Sequence, residues 1–512
     1  MLNLRRFNQT VCTMTVTLAI WGAVCTPAWA QSLADRVVEH HYPNGLTLLM
    51  VERHVVPTVS CNVTFRVGGV NEKTGMTGIA HLYEHMAFKG TTRIGTRDYA
   101  SERRALARQD AAWRALQDER TAGAAVPADR LPRLQAEFEA AGKEAARFVA
   151  GNELAMLYSR NGGLGLNATT GKDLTRYVIS LPSNRLELWA AIESERLAHP
   201  VLREFYSERD VVLEERRLRY ENSPSGRLYE AFLATAFWAH PYGMPVIGWT
   251  SDIQNLQRDA TEEFFRAYYV PNNTIITLVG DLDPKATIDL VGRYFGGLAS
   301  RPLPREALPQ EPEQRGERRV EVEFAAEPSL LLGYHTPDLT HADDAVLDVI
   351  DSLLSDGRSS RLYRALVRDQ RLALSVSTST GVPGARYPHL FVIDGTPRAP
   401  HTAHEVEAAI EHELERLKTD PIEPAELRRI LNQLDASLIR SLRSNAGLAS
   451  MLGYFQGIAG DWHYLLRNRE AVSKVGPEDI HRVAQRYFVR SNKTAAMLVR
   501  VPESVVNAGG GS

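Results

Sequence analysis

Cysteine is almost missing from this chain. Its 512 residues hold three, Cys12, Cys25 and Cys61. The first two lie in an apolar leader, so Cys61 has no partner for an internal disulfide and no companions for a thiolate zinc cluster. It sits in "TVSCNVTFRV", where apolar and polar residues alternate, and reads as a buried strand residue. Excess charge is missing as well. The formal net charge is −3, with no acidic or basic tail. A nucleic-acid footprint needs a concentrated basic patch, so nucleic acid is not an expected partner. No run after residue 30 has the length and apolarity of a membrane span. Ser359 and Ser360 lack a G-x-S-x-G setting, which argues against a serine hydrolase. What is present is ordinary globular composition, 44% hydrophobic and 24% charged, in a chain long enough for more than one domain.

The leader, "MLNLRRFNQTVCTMTVTLAIWGAVCTPAWA", starts with Arg5 and Arg6 and ends on Ala28-Trp29-Ala30. A basic start, a short apolar stretch and a small-x-small end form a secretory signal peptide, residues 1–30. Val24 stands before Cys25 where a lipoprotein signal wants a small residue, so no lipid anchor is read. Cleavage is expected after Ala30, giving a soluble periplasmic or secreted protein.

Further along, "GLTLLMVERH" and "TVSCNVTFRVGG" read as strands, and a helix begins near Gly78. Residues 101–155 change character: they are rich in Ala, Arg, Glu and Leu and break at "TAGAAVPAD". This is an inserted pair of charged helices, expected to be solvated and peripheral. "GGLGLNATTGKDLTRYVISLP" returns to strand character, and helices follow in "NRLELWAAIESERLAH" and "SERDVVLEERRLRYEN". Residues 300–319 hold Pro302, Pro304, Pro309 and Pro312 among charges, a linker composition. It divides an N-terminal domain, 31–299, from a second unit, 320–506, ahead of a flexible tail, 507–512. "RAYYVPNNTIITLV" near 266 echoes "QRYFVRSNKTAAMLV" near 485, so the two units read as a duplication. The expected fold class is α+β: two homologous, helix-backed sheet domains with an inserted helical hairpin.

The chemistry concentrates in "GMTGIAHLYEHMAFKGT", residues 75–91. Positions i, i+3 and i+4 of a helix share a face, so His81, Glu84 and His85 project together. Two imidazoles one turn apart can bind one zinc ion, and a glutamate beside them can act as base on a zinc-bound water. H-x-x-E-H is an inverted zincin motif. A third ligand must come from elsewhere, and "SERDVVLEERR" offers Glu208, Glu214 and Glu215. Ser207 followed by Asp210 gives a capping start for that helix. Glu208 and Glu215 are two turns apart and share a face, so helical geometry alone does not choose between them.

"HLYEHMAFKGT" followed much later by "SERDVVLEERR" resembles the insulinase–pitrilysin family of zinc peptidases. "GGLGLNATTGKDLTRY", "HPYGMPVIGW", "YYVPNNTIITLVGDLDP" and, in the second unit, "GRSSRLYRALVRDQRLALSVS" extend the resemblance over nearly all of residues 31–512 in the family's order. The resemblance implies one half of a clamshell. It implies Zn2+, one per chain, held by His81, His85 and Glu215, with Glu84 as catalytic base and Glu208 supporting the site. It implies that Asn167 and Ala168 lie on the strand edge that holds extended peptide. Arg368 stands near the family's chamber-crossing arginine, whereas Leu374 occupies the place of its tyrosine. His240 in "HPYG" reads as a structural turn, and His404 and His412 as parts of a solvated helix. The implied activity is that of an exported zinc metalloendopeptidase acting on peptides or unfolded segments, working as a homodimer or as a heterodimer with a related subunit. The alternative is a non-catalytic or partner-dependent peptide-binding subunit of a peptidase complex.

Overall fold

The strand patterns build two sheets. The first holds β1 (Val37–His41), β2 (Thr47–Glu52), β3 (Thr58–Phe65), β4 (Leu164–Thr170), β5 (Thr175–Pro182) and β6 (Thr274–Gly280), in the order β1-β2-β6-β3-β5-β4. The second holds β7 (Arg318–Phe324), β8 (Ser329–Thr336), β9 (Ala373–Val382), β10 (His389–Pro397) and β11 (Lys493–Arg500), in the order β7-β11-β8-β10-β9. The structure, a computed structural model, describes residues 33–122, 129–305 and 308–501. The expected signal peptide with its cleavage after Ala30, most of the expected break at 121–129, and the expected tail lie outside the described residues.

In the first sheet β2 pairs with β6 in parallel, and β6–β3, β3–β5 and β5–β4 are antiparallel. In the second, β7–β11 is parallel, and β11–β8, β8–β10 and β10–β9 are antiparallel. Without β1, the sheets match strand for strand in order and direction. The echoed segments take equivalent places: each is a helix, a short turn and a strand that runs parallel to its sheet's outer neighbour. β1, "VVEHH", is an addition that the sequence reading did not anticipate.

The first half also carries α1 (Ile79–Met86), α2 (Tyr99–Thr121), α3 (Arg130–Ala146), α4 (Glu153–Arg160), α5 (Leu186–Ala198), α6 (Phe205–Arg216), α7 (Pro224–Ala236), α8 (Thr250–Asn255), α9 (Arg258–Tyr268) and α10 (Pro284–Phe295). The second carries α11 (Asp344–Ser355), α12 (Ala403–Thr419), α13 (Pro424–Ser441), α14 (Asn445–Ala459), α15 (Tyr464–Ser473) and α16 (Pro477–Tyr487). Sequence alternation sets the layers. Cys61, Val63 and Phe65 of β3 enter the main core of the first half, and Cys61 is buried as expected. Asn62 and Thr64 point to the opposite face, which α14 of the second half covers. Gly453 makes that approach possible, since a Cβ there would stand 3.0 Å from both Asn62 Nδ2 and Thr64 Oγ1. Reciprocally, Leu228, Phe232, Leu233 and Ala236 of α7 pack with Leu331, Leu390, Val392, Ala496 and Leu498 of the second sheet. Each half thus lends a helix to the other's sheet, and from Val37 on the chain is one body, although in sequence its sheets lie on either side of 300–317.

The charged segment 101–155 is helical as expected but not peripheral. Trp113, Leu116 and Leu134 join the main core of the first half, and Glu102 is fully buried. Charge density along the helices hides a narrow inward stripe: Ala105 and Leu106 cluster with Ala145 and Val201, while Trp113 and Leu116 join the main core, Trp113 against Tyr206 of α6.

Candidate metal centre

α1 is capped from outside its own sequence. Glu72 accepts N–H bonds from Gly78 and Ala80, both at 2.9 Å, placing a carboxylate at the helix N-terminus. Gly78 adopts φ +88°, and a Cβ there would lie 2.4 Å from the Ile247 carbonyl, so glycine is required. Ile79, Ala80, Leu82, Tyr83 and Met86 are buried and fix the helix rotation. That leaves His81, Glu84 and His85 on one partly open face. α6 starts at Phe205 after Glu204 at φ +58°, so Ser207 lies inside the first turn rather than capping it.

Glu215 reaches between the two histidines. His85 Nε2 stands 3.4 Å from Glu215 Oε2, and His81 Nε2 stands 3.8 Å from Glu215 Oε1. One donor atom from each of the three lies within 4.8 Å of the others. Glu208 faces the other side of His85, with its Oε2 3.4 Å from Nδ1. Glu214 turns away and pairs with Arg217. Two imidazole nitrogens and a carboxylate are a zinc-type donor set, and donors of a tetrahedral zinc at about 2.0–2.1 Å stand roughly 3.3 Å apart. His81 Nδ1 is buried and makes no hydrogen bond among the described residues, so neither ring nitrogen of His81 has a close protein partner. The residues therefore fit a zinc ion.

The electrostatics separate the two histidines. Burial, helped by the neighbouring His85, pushes the His81 imidazole down to about 4. Contacts with Glu208 and Glu215 push His85 up to about 9. Glu215 is lowered, first by His85. For Glu208, burial raises the carboxyl, but the bonds to His85 and Lys89 outweigh it and the net shift is downward. Burial raises Glu84, with Thr170 and His85 pulling the other way.

Some contacts of this site were not evident from the sequence. Lys89 donates to Glu204 at 3.1 Å and also pairs with Glu208. Arg219 Nη1 lies 3.0 Å from Glu215 Oε1; the i, i+4 spacing of that pair was the available signal. Glu72 carries no cap signature that a sequence scan would detect.

β4 is the outermost strand of its sheet, so its far edge is unpaired by the sheet. Its residues Asn167, exposed, and Ala168, buried, pair with Val178 and Tyr177 of β5. Arg368 lies in the second half, in the helical turn Tyr363–Asp369, 58% exposed and paired with Asp369. Leu374 is exposed at the start of β9. His240 Nδ1 accepts the Tyr242 N–H at 3.2 Å, the structural turn expected of "HPYG". His404 and His412 are exposed on α12, also as expected.

Two family descriptions match the chain. The insulinase description (peptidase family M16) matches residues 47–115, which include His81, Glu84 and His85, and the peptidase M16 inactive domain matches residues 255–434. By both descriptions the chain is insulinase-family-like. The word "inactive" attaches to 255–434, a stretch that holds none of His81, Glu84, His85 and Glu215. Among insulinase-family relatives, the zinc protease PqqE of Helicobacter pylori is 29% identical over 483 residues, 92% of this chain and 94% of that protein. The crystal structure of a protease from Helicobacter pylori superposes with TM-score 0.75 at 28% identity, covering 90% of this chain and 99% of that one. The fold also matches the first half of the periplasmic protease PqqL from Escherichia coli, with TM-score 0.64 at 16% identity over 93% of this chain and 94% of that half. Against a longer PqqL structure the match covers 49% of that chain. In family and fold, the chain is zinc-peptidase-like, and no helix among the described residues is long and apolar enough to cross a membrane.

Proposed function

We propose that this insulinase-family-like chain is an exported zinc metalloendopeptidase acting on peptides or unfolded segments. The carrying observation is the convergence of His81, His85 and Glu215, with Glu84 on the same face of α1 and the free edge of β4 alongside. His81, His85 and Glu215 would hold one zinc ion per chain. Bound there, the ion supplies Lewis acidity, polarising a carbonyl and making water a stronger acid. Glu84 takes the proton from the attacking water and delivers it to the leaving amine. Glu208 orients His85 through Nδ1, and Lys89 holds Glu208 in turn. The outer edge of β4 takes the substrate as an added strand through backbone hydrogen bonds, with Asn167 and Ala168 in contact. Export rests on the signal pattern of residues 1–30.

The match to the first half of PqqL supports a single half-chamber per chain, completed by a second copy or by a related subunit. Arg368 is assigned to substrate contact across that chamber. Leu374, standing where the family resemblance expects a tyrosine, favours a second reading: a subunit that needs a partner chain to complete its site. Glu215→Ala should empty the zinc site and abolish hydrolysis of a peptide library, while Glu208→Ala should retain the metal. Undiminished zinc in Glu215→Ala, measured by elemental analysis, would overturn the ligand assignment. A zinc-loaded chain without activity until a second chain is added would select the second reading.

A further inference from the structure

The structure assigns a positioning role to Glu102 and Arg203: they set the separation of α1 and α6, and with it the geometry of the His81, His85 and Glu215 donors. The assignment rests on the proposed metal site.

Arg203 is 1% exposed and Glu102 0%, and they form a fork-to-fork pair, Nε–Oε1 at 2.8 Å and Nη2–Oε2 at 3.3 Å. The remaining guanidinium protons go to main-chain carbonyls: Thr91 at 2.6 Å, Ile94 at 3.0 Å, and Lys89. A guanidinium has five N–H donors, and all five are used. The loop that accepts them is the continuation of α1, and Arg203 lies just ahead of α6. Gly90 and Gly95 let the loop close around the guanidinium, since a Cβ at either would stand 2.9 or 2.8 Å from Arg203 Nη1. Lys89, whose carbonyl Arg203 holds, sends its ammonium to Glu208. One buried side chain therefore ties together the exit of the histidine helix, the entry of the glutamate helix and the N-terminal turn of α2.

The back of α6 is bolted to α2 as well. Tyr206 donates to Asp110 at 2.8 Å, and the Arg209 guanidinium lies 4.1 Å from the centre of the Trp113 ring. Arg258 of α9 also holds Asp110, at 2.8 Å to each oxygen. On a 3.6-residue helix, Tyr206 lies nearly opposite Glu208 and Glu215. α6 is thus clamped between the histidines on one side and α2 on the other. Partners that hydrogen-bond a metal ligand directly typically change metal affinity 10–100-fold when removed, and a support one contact further out should fall toward the lower end of that range.

The test uses the full chain stripped of metal, with zinc affinity read by competition against a chromophoric chelator. Glu102→Gln keeps the shape but removes the charge and half of the acceptors. It should weaken zinc binding about 10-fold and alter the visible absorption of the cobalt-loaded protein, while thermal unfolding stays cooperative. Arg108→Ala, on the exposed side of α2 where Arg108 pairs with Glu144, should change neither. Affinity within twofold of the unaltered chain in a cooperatively unfolding Glu102→Gln protein would overturn the assignment. If that variant fails to fold, Tyr206→Phe deletes one hydroxyl and should still weaken zinc several-fold; unchanged affinity there overturns the assignment equally. An unaltered chain that binds no zinc would sink the functional reading and this assignment with it, whereas unchanged affinity in the variants sinks this assignment alone.

Discussion

Glu84→Gln separates the proposed base from the proposed ligands. The three converging donors are His81, His85 and Glu215, and Glu84 is not among them. An amide of nearly the same shape should therefore leave the metal in place. It cannot accept the proton from water, and loss of general-base action costs about 10²–10⁴ in rate. At 1.36 kcal/mol per decade that is about 2.7–5.4 kcal/mol of barrier. The fold should tolerate the change, because burial already disfavours the Glu84 charge and a neutral amide removes that cost. The assay needs three readings on one preparation: zinc per chain, kcat/KM on an internally quenched peptide, and the thermal midpoint. The expected result is unchanged zinc, an unchanged or slightly higher midpoint, and activity down by at least a hundredfold. A zinc-loaded Glu84→Gln protein with kcat/KM within tenfold of the unaltered chain would refute the base assignment. Loss of zinc from a well-folded variant would refute the division of roles and make Glu84 part of the metal shell.

Gly453→Val should lower the denaturant midpoint by the equivalent of about 1–3 kcal/mol, because its Cβ meets Asn62 Nδ2 and Thr64 Oγ1 at 3.0 Å; an unchanged midpoint would show that α14 can lift from the first sheet at no cost. Burial pushes the Asp344 carboxyl up to about 8 and that of Asp348 up to about 6, while His389, whose Nε2 lies 4.0 Å from Asp344, is pushed down to about 4 by burial. A carboxyl with a raised folded pKa contributes stability that is full below its unfolded value and lost as pH rises through the folded one, and His389 works in the opposite sense only below about 6.5. Thermal midpoints should therefore fall between about pH 6.5 and 8, and Asp344→Asn should flatten that decline; an unaltered slope would reject the shift.

Much of the site was legible because its signals are local. H-x-x-E-H needs only helical periodicity to place His81, Glu84 and His85 on one face, and "SERDVVLEERR" needs only the same periodicity to align Glu208 with Glu215. The choice between those glutamates is a matter of two helices crossing, which one helix cannot report. In the folded chain Glu215 lies between the imidazoles and Glu208 behind His85. The role of residues 101–155 was misjudged for a related reason. A helix rich in Arg and Glu reads as solvated, yet four apolar positions and one buried glutamate suffice to dock it. Glu102 looks like any other surface acid until Arg203, a hundred residues away, is brought against it. The helix exchange was also invisible, because amphipathic helices such as α7 and α14 do not say which sheet they cover.

The duplication accounts for a single three-donor cluster among the described residues. α11 follows β8 as α1 follows β3, and the sheets around them correspond strand for strand. Yet α11 reads "DAVLDVIDSLLS", without a histidine, and is buried along most of its length. The copy kept the sheet and the helix position and gave the helix face to the core. What the second half supplies instead is support: α14 closes the back of β6 and of β3, the strand that leads into α1. Asp173, at the turn joining β4 to β5, accepts N–H bonds from Ala385 and Arg386 of the second half, at 2.8 and 3.2 Å, and a hydroxyl bond from Tyr242 at 2.7 Å. The free strand edge beside Glu84 is therefore held from the other half of the chain. A second half without ligands still fixes the surface on which the proposed substrate strand would lie.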